Sequence, residues 1–153
     1  MAKKEPTYTW NQETGEATYT IYYKNLTFTG HASCHPDDED MKSQMMGLTI
    51  AESRAALNCL RHVRDNDLQP QLKSLKQLMY SMNHSKQYNR KSYEARMLYR
   101  HIQMLEEDIK NITEDISHIK YFLWRYMREK EEIHHFLREK RKAKTDQTNT
   151  SEN

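Results

Sequence analysis

The longest pattern in the chain is a stripe of apolar side chains between residues 98 and 137. Successive members are separated alternately by four and three residues, and one of them, at position 130, is a lysine. A mean spacing of 3.5 residues predicts a coiled-coil helix, because it keeps one narrow stripe facing a partner helix. The predicted oligomerisation residues are Leu98, Ile102, Leu105, Ile109, Ile112, Ile116, Ile119, Leu123, Tyr126, Lys130, Ile133 and Leu137.

A narrow apolar stripe needs a partner helix, and the sequence favours a second copy of the chain. In a parallel pair, residues flanking the stripe would meet in complementary pairs, for example Asp115 with Lys120 and Glu129 with His134. Isoleucine at the a positions with mixed leucine and isoleucine at the d positions leaves a trimer open. We therefore expect a homo-oligomer, with the dimer favoured.

Two shorter helices are predicted upstream of the long one. The capping box Thr49-x-x-Glu52 predicts a helix that begins just after Gly47. Pro70 fits the first turn of a second helix capped by Asn66 or Asp67.

The second helix, near residues 68–83, is expected to lie antiparallel to the start of the long helix after a polar connection at 83–91. It is too short to cover the whole stripe. The stripe beyond Ile112 is therefore expected to require another chain.

The first third of the chain alternates apolar and polar residues and predicts strands at 7–10, 17–23 and 26–34. Lys24-Asn25 is the expected two-residue turn, since asparagine tolerates positive φ. The predicted fold class is α+β, with a three-stranded antiparallel sheet and covering helix followed by an antiparallel helical hairpin. The predicted regions are a head at 1–65, a coiled-coil hairpin at 66–144 and a disordered tail at 145–153.

Composition favours a rod over a thick core, with 36% hydrophobic and 30% charged residues and a net charge of +2. No apolar run approaches the roughly 18 residues of a membrane span, and no signal segment is predicted. We expect a cytoplasmic protein without a membrane partner, whose cysteines are reduced.

Candidate metal ligands are few. His31 and Cys34 lie near the end of the third strand, and Cys59 and His62 share a face of the first helix. Imidazole and thiolate are zinc ligands. However, His31 and Cys34 point to opposite faces of their strand and Cys59 falls on the apolar side of its helix, so buried cysteines and surface histidines are favoured over a zinc site.

The acidic run at 37–40 predicts a solvated turn, because adjacent loop carboxylates rarely converge on one pocket. The sequence has no catalytic motif and no phosphate-binding glycine loop. We therefore predict neither enzyme activity nor a cofactor.

The connection between the hairpin helices is rich in basic and tyrosine residues. Residues 70–101 hold seven basic groups against one acid. Lysine and arginine neutralise phosphates, and tyrosines can stack on bases, although a soluble helix surface has the same composition. The candidate nucleic-acid-binding residues are Lys86, Tyr88, Arg90, Lys91, Tyr93, Arg96 and Arg100.

Two aromatic residues of the long helix lie off the stripe and are candidates for binding a protein partner. Phe122 flanks the stripe and is compatible with a widened core, whereas Trp124 lies opposite it and is the better candidate for an exposed anchor.

The segment T-G-H-A-S-C-H-P-D-D at 29–38, followed by G-L-T-I-A-E-S-R-A at 47–55, resembles a pattern in small uncharacterised proteins of phages and prophages of Gram-positive bacteria. In that pattern a strand ending G-x-A-x-C-x-P-D-D precedes a helix with G-x-x-I-A-E-x-R-A. The order of strands and helix also resembles part of a double-stranded-RNA-binding fold. The resemblance implies a phage-encoded regulator or inhibitor acting in the host cytoplasm.

Three functional hypotheses follow. The first is a non-enzymatic interaction protein that dimerises and binds, inhibits or regulates a host macromolecule such as a defence protein. The second is a nucleic-acid-binding protein that uses the basic connection. The third is a structural or scaffolding component. The sequence does not name the partner.

Overall fold

The computed structural model describes residues 4–34, 43–85 and 89–150, with side chains described as far as residue 144. The strands form one antiparallel sheet in the order β1-β2-β3, which confirms the predicted α+β class. The strands are β1 Thr7–Asn11, β2 Glu16–Tyr23 and β3 Leu26–Ala32. The helices are α1 Gln44–His62, a π-helical segment Val63–Leu68, α2 Gln69–Asn83 and α3 Tyr93–Thr150.

Both turns of the sheet use a residue with positive φ. Gly15, with φ 70°, closes the first turn, where the Asn11 side chain accepts the Glu13 N–H at 2.9 Å. In the two-residue turn between β2 and β3 the positive φ of 54° belongs to Lys24 and not to Asn25. A lysine with positive φ is uncommon, so the contacts of its side chain bear on what holds the turn in this conformation.

Helix α1 begins earlier than predicted. Ser43 is its N-cap, with an extended backbone and a side-chain oxygen that accepts the Met46 N–H at 3.3 Å. The prediction of a start at Thr49 with a Thr49–Glu52 capping box was wrong. Thr49 lies inside the helix, where its hydroxyl donates to the Met45 carbonyl at 2.7 Å. Serine meets the requirement for an N-cap equally well, so the pattern at 49–52 was a coincidence.

The predicted break between the first two helices was also wrong. The backbone stays helical from α1 through the π-helical segment into α2, and Pro70 lies in the first turn of α2. Neither Asn66 nor Asp67 caps α2. Because proline has no N–H to donate to the carbonyl four residues earlier, a wider π turn just before it lets the helix continue without a loop.

Helix α1 covers the apolar face of the sheet at very short range. A Cβ on Gly30 would overlap the Ala51 carbonyl oxygen and lie 2.5 Å from the Ala55 nitrogen. The buried residues around this contact are small, with Ala17, Ala51 and Ala55 at most 1% exposed. Glycine and alanine therefore set the distance between helix and sheet.

Helix α3 runs antiparallel to the continuous helical stretch 44–83. Near its start, Glu106 pairs with Lys76 of α2 at 2.6 Å, whereas Leu123 and Tyr126 pack against the core beneath α1. Ile116 is only 3% exposed in the single chain. The prediction that the stripe beyond Ile112 requires another chain was therefore wrong as far as Tyr126, because α1 continues the cover that α2 begins. Further along, Ile133 stays 46% exposed.

Helix α3 extends to Thr150, past residue 145, where the sequence predicts a disordered tail. The predicted boundary between head and hairpin at residues 65 and 66 falls inside the π-helical segment. Helix α1 contacts both the sheet and α3, so the two predicted regions pack on one another.

Candidate interaction surfaces

Most of the predicted oligomerisation residues are covered within one chain. Ile102, Leu105 and Ile116 are buried. The remaining stripe residues are partly buried, apart from Ile133, which is 46% exposed. The partly buried ones are Leu98, Ile109, Ile112, Ile119, Leu123, Tyr126, Lys130 and Leu137.

Beside the covered stripe, α3 carries an exposed group that we call the aromatic surface, formed by Tyr121, Trp124, Met127 and Arg128. Tyr121 and Trp124 are 59% and 54% exposed, and their ring centroids lie 5.8 Å apart. The Arg128 guanidinium lies over the Trp124 ring at 5.5 Å, in the geometry of a cation–π contact. The sequence singled out Trp124 but missed Tyr121, which the i, i+3 spacing places beside it.

Phe122, the second predicted partner residue, is 40% exposed. Its helical position places it on the opposite flank of the stripe from Trp124. Phe136, which is 59% exposed, lies on the same flank as Phe122 two heptads further along. The two predicted partner residues therefore do not form one surface.

The basic and tyrosine residues at the start of α3 form a second exposed group, which we call the basic tip. It consists of Arg90, Lys91, Tyr93, Arg96, Tyr99 and Arg100, all exposed. Tyr93 and Tyr99 are 68% and 56% exposed. Two further residues predicted for this site, Lys86 and Tyr88, lie outside the described residues.

The candidate metal ligands are dispersed. The His31 ring nitrogen Nδ1 lies 3.1 Å from the Thr18 hydroxyl on the outer face of the sheet. His62 packs on Phe28, with ring centroids 5.3 Å apart, and lies 2.9 Å from the Asn66 amide. Among the described residues, no three His, Cys, Asp or Glu side chains come together in a way that could hold a metal ion.

The two cysteines lie in different places. Cys59 is partly buried on α1, and burial raises the pKa of its thiol, which disfavours the reactive thiolate. Cys34 lies at the rim of a cavity of about 290 Å³ that Lys130 also lines. The acidic run at 37–40 lies outside the described residues.

One polar contact that the sequence did not predict joins the sheet to the helices. Asp67 Oδ2 accepts hydrogen bonds from the Tyr23 hydroxyl at 2.8 Å and from Lys24 Nζ at 2.7 Å. The hydrogen bond from Lys24, followed by that from Tyr23, lowers the pKa of Asp67. Lys24 is the residue with positive φ, so this contact fixes the turn to the π-helical segment.

Comparison of the chain with protein-family models, curated proteins and solved structures finds no match. The resemblance to phage proteins stays a prediction. In the described part of the chain, no helix combines the length and apolar character that crossing a bilayer demands.

Proposed function

We propose that this protein is a non-enzymatic interaction protein that binds a protein partner through its aromatic surface. The observation that carries the proposal is the exposure of Trp124 beside Tyr121, at a level of α3 where the apolar stripe is covered within the chain. Tryptophan, tyrosine and arginine dominate the energetic centres of protein interfaces. All three occur side by side here.

The fold itself gives no reason for this exposure. Leu123 and Tyr126, which flank Trp124 in sequence, pack against the core cluster, whereas Trp124 points away from it. Arg128 also pairs with Glu132 at 3.3 Å while its guanidinium lies over the indole ring. A tryptophan side chain has few rotatable bonds, so a partner that covers it gains a large contact area at a small cost in conformational freedom.

The occupant that we propose is an apolar segment of a protein from a bacterial host. This choice rests on the resemblance of residues 29–55 to phage proteins, and it makes the protein a regulator or inhibitor that acts in the host cytoplasm. A defence protein is one class of target that such a regulator would bind.

We also propose that self-association is confined to the end of the stripe. Gly47 lies in the first turns of α1 and lines the same cavity as Ile133, so α1 begins at the level of Ile133. The stripe continues beyond that level to Leu137. Ile133 and Phe136 are 46% and 59% exposed. Two copies could cover these side chains mutually, but a contact of about one heptad is short and should be weak.

The aromatic surface is tested by capture and reconstitution with three forms of the protein. We expect wild type and Tyr8→Ala to retain the same host protein and Trp124→Ala to lose it. Tyr8 is a matched control because it is a 63% exposed aromatic residue on β1. With the retained protein purified, Trp124→Ala should weaken binding by about 2 kcal/mol or more in calorimetry.

Equal binding by Trp124→Ala and wild type would contradict the proposal, as would equal loss by Tyr8→Ala. Trp124 is 54% exposed, so its replacement should lower the melting temperature only slightly, and binding is compared at a temperature at which all three proteins are folded. Self-association is read separately by light scattering, where Ile133→Lys should abolish any dimer that wild type forms.

A further inference from the structure

The chain around the start of α3 presents cations that pair with no carboxylate among the described residues. Further along the helix, Lys110, Arg125 and Arg128 each lie within 4.0 Å of a glutamate four residues on. In the described part of the chain, no carboxylate pairs in this way with the four cations of the basic tip. These cations are Arg90, Lys91, Arg96 and Arg100.

Helical geometry places part of the tip on one face. Ala95 and Ile102 are buried against the hairpin, at 4% and 3% exposure. Tyr93, Arg96 and Arg100 follow one another at intervals of three and four residues on the opposite side. From Tyr93 to Arg100 the helix rises about 10 Å. The face is therefore an open strip with one aromatic ring, two guanidinium groups and the 44% exposed Met97.

Tyrosines stand beside the cations on this strip and its flank. Tyr93 and Tyr99 are more than half exposed, and Tyr80 of α2 is 66% exposed. Within the described residues, Tyr80 packs on the His84 ring, whereas no ring contact holds Tyr93 or Tyr99. Both tyrosines of the tip are therefore available for stacking.

We propose that the basic tip is a binding site for single-stranded nucleic acid, a ligand different in kind from the protein partner of the aromatic surface. Arginine and lysine neutralise backbone phosphates, and exposed tyrosine rings stack on unpaired bases, which single strands offer and duplexes do not. The four cations, which have no carboxylate partner among the described residues, supply the charge complementarity.

Anionic lipid headgroups could pair with the same cations, but the shape and polarity of the tip do not suit a membrane surface. A helix that lies in a membrane interface needs a large exposed apolar face. The continuous apolar face of α3 is turned towards α1 and α2. The exposed apolar side chains beside the strip are Met97 and Met104, at 44% and 59% exposure, and two methionines do not make a large apolar face. The observations therefore favour the nucleic acid.

The test is fluorescence anisotropy with labelled single-stranded and duplex DNA of about 20 nucleotides at low salt. The variant Arg96→Gln/Arg100→Gln removes two cations while keeping helix propensity. The matched control is Lys110→Gln/Lys120→Gln, which removes the same charge from exposed positions of the same helix. Arg90→Gln/Lys91→Gln removes two cations that precede the helix and cannot disturb its packing.

We expect wild type and the control to bind the single strand with similar affinity. Each of the two tip variants should weaken binding at least tenfold and reduce the slope of log affinity against log salt by about 0.7 for each lost phosphate contact. Tyr93→Ala should weaken binding to the single strand more than binding to the duplex.

Three results would overturn the proposal. One is no anisotropy change for wild type at tens of micromolar protein. Another is an equal loss in the Lys110→Gln/Lys120→Gln control, which would show attraction to net charge alone. The third is binding to phosphatidylserine vesicles without binding to the oligonucleotide, which would assign the tip to membranes. Trp124→Ala should bind the oligonucleotide normally, so failure of this proposal is distinguishable from failure of the protein-binding surface.

Discussion

At the scale of single residues, two contacts fix how the sheet sits on the helices. Asp67 joins the turn between β2 and β3 to the π-helical segment, and Gly30 allows α1 to approach β3. A sequence pattern can indicate that a helix covers the sheet. It does not show which carboxylate reaches the Lys24 ammonium, because the two residues are 43 positions apart.

Replacing Asp67 by asparagine should lower the melting temperature at neutral pH, because the ion pair with Lys24 is lost. The pKa of Asp67 is lowered on folding, so its contribution is complete above the unfolded value of 3.8 and is lost as the pH falls through the folded value. The difference in melting temperature between wild type and Asp67→Asn should therefore shrink below pH 3.8.

Asp65→Asn is the matched control for this prediction. The pKa of Asp65 is also lowered, chiefly by a hydrogen bond from Arg64, but that partner is its neighbour in sequence. Loss of this local pair should change the melting temperature less. Calorimetric melts of the three proteins at neutral and acidic pH provide the measurement, and a difference for Asp67→Asn that persists unchanged at pH 2 would contradict it.

Gly30→Ala should destabilise the protein by about 3 kcal/mol or more, because the added methyl group meets backbone atoms that cannot rotate away. Gly47→Ala is the comparison. There the Cβ would lie 2.8 Å from a Trp10 ring atom, a side chain that can shift, and alanine favours the helix. Urea unfolding should show the larger loss for Gly30→Ala, and an equal loss at both positions would contradict the close approach.

At the scale of elements, the π-helical segment decides what the hairpin can bury. If residues 65–67 formed a loop, only one short helix would lie opposite the long stripe. Because they are helical, the continuous stretch of α1 and α2 covers α3 from Ala95 to Tyr126. Charged and asparagine residues before a proline are common in loops. A continuous helix is favourable here because α3 offers apolar surface along the whole length of α1 and α2. Burial of that surface outweighs the preference of residues 65–67 for a loop.

Ile116→Ala should lower the free energy of unfolding by about 2–5 kcal/mol, because Ile116 is 3% exposed in the single chain. Ile133→Ala, at 46% exposure on the same stripe, should cost about 1 kcal/mol or less. The cost at Ile116 should not depend on protein concentration. A melting temperature of wild type that rises with concentration, with the Ile116→Ala effect rising alongside it, would show that the residue is buried between chains.

At the scale of the whole molecule, much of the architecture was predictable. The three strands, the covering helix and the long helix follow from period-two and heptad patterns. The heptad pattern also identified which side of the long helix faces other helices. The partner of that stripe was not predictable, since an apolar stripe fits an intramolecular helix as well as a second copy. Exposure of Trp124 followed from its heptad position, whereas the dispersal of the four candidate metal ligands needed the tertiary structure.

The residues that carry the resemblance at 29–55 are largely packing residues. Gly30, Ala51 and Ala55 form the close contact between β3 and α1, and Ala32 and Ile50 lie in the core. In this chain, the pattern therefore describes how a sheet and a helix fit together. The two exposed groups, the aromatic surface and the basic tip, lie outside it, on α3 and just before its start, and function has to be tested there.

The central claim is that α3 folds back on α1 and α2 of its own chain. Both proposed binding sites depend on it, since this packing leaves the aromatic surface and the basic tip exposed. A zero-length carbodiimide cross-link between Lys76 and Glu106 tests it on the natural protein, since Nζ and Oε1 lie 2.6 Å apart. The cross-linking is carried out in an equal mixture of unlabelled and isotope-labelled chains. We expect the cross-linked peptide in the monomer fraction, with both of its halves either labelled or unlabelled. The Lys76→Arg variant should not give this peptide. Mixed-label peptides in a dimer fraction would contradict the account.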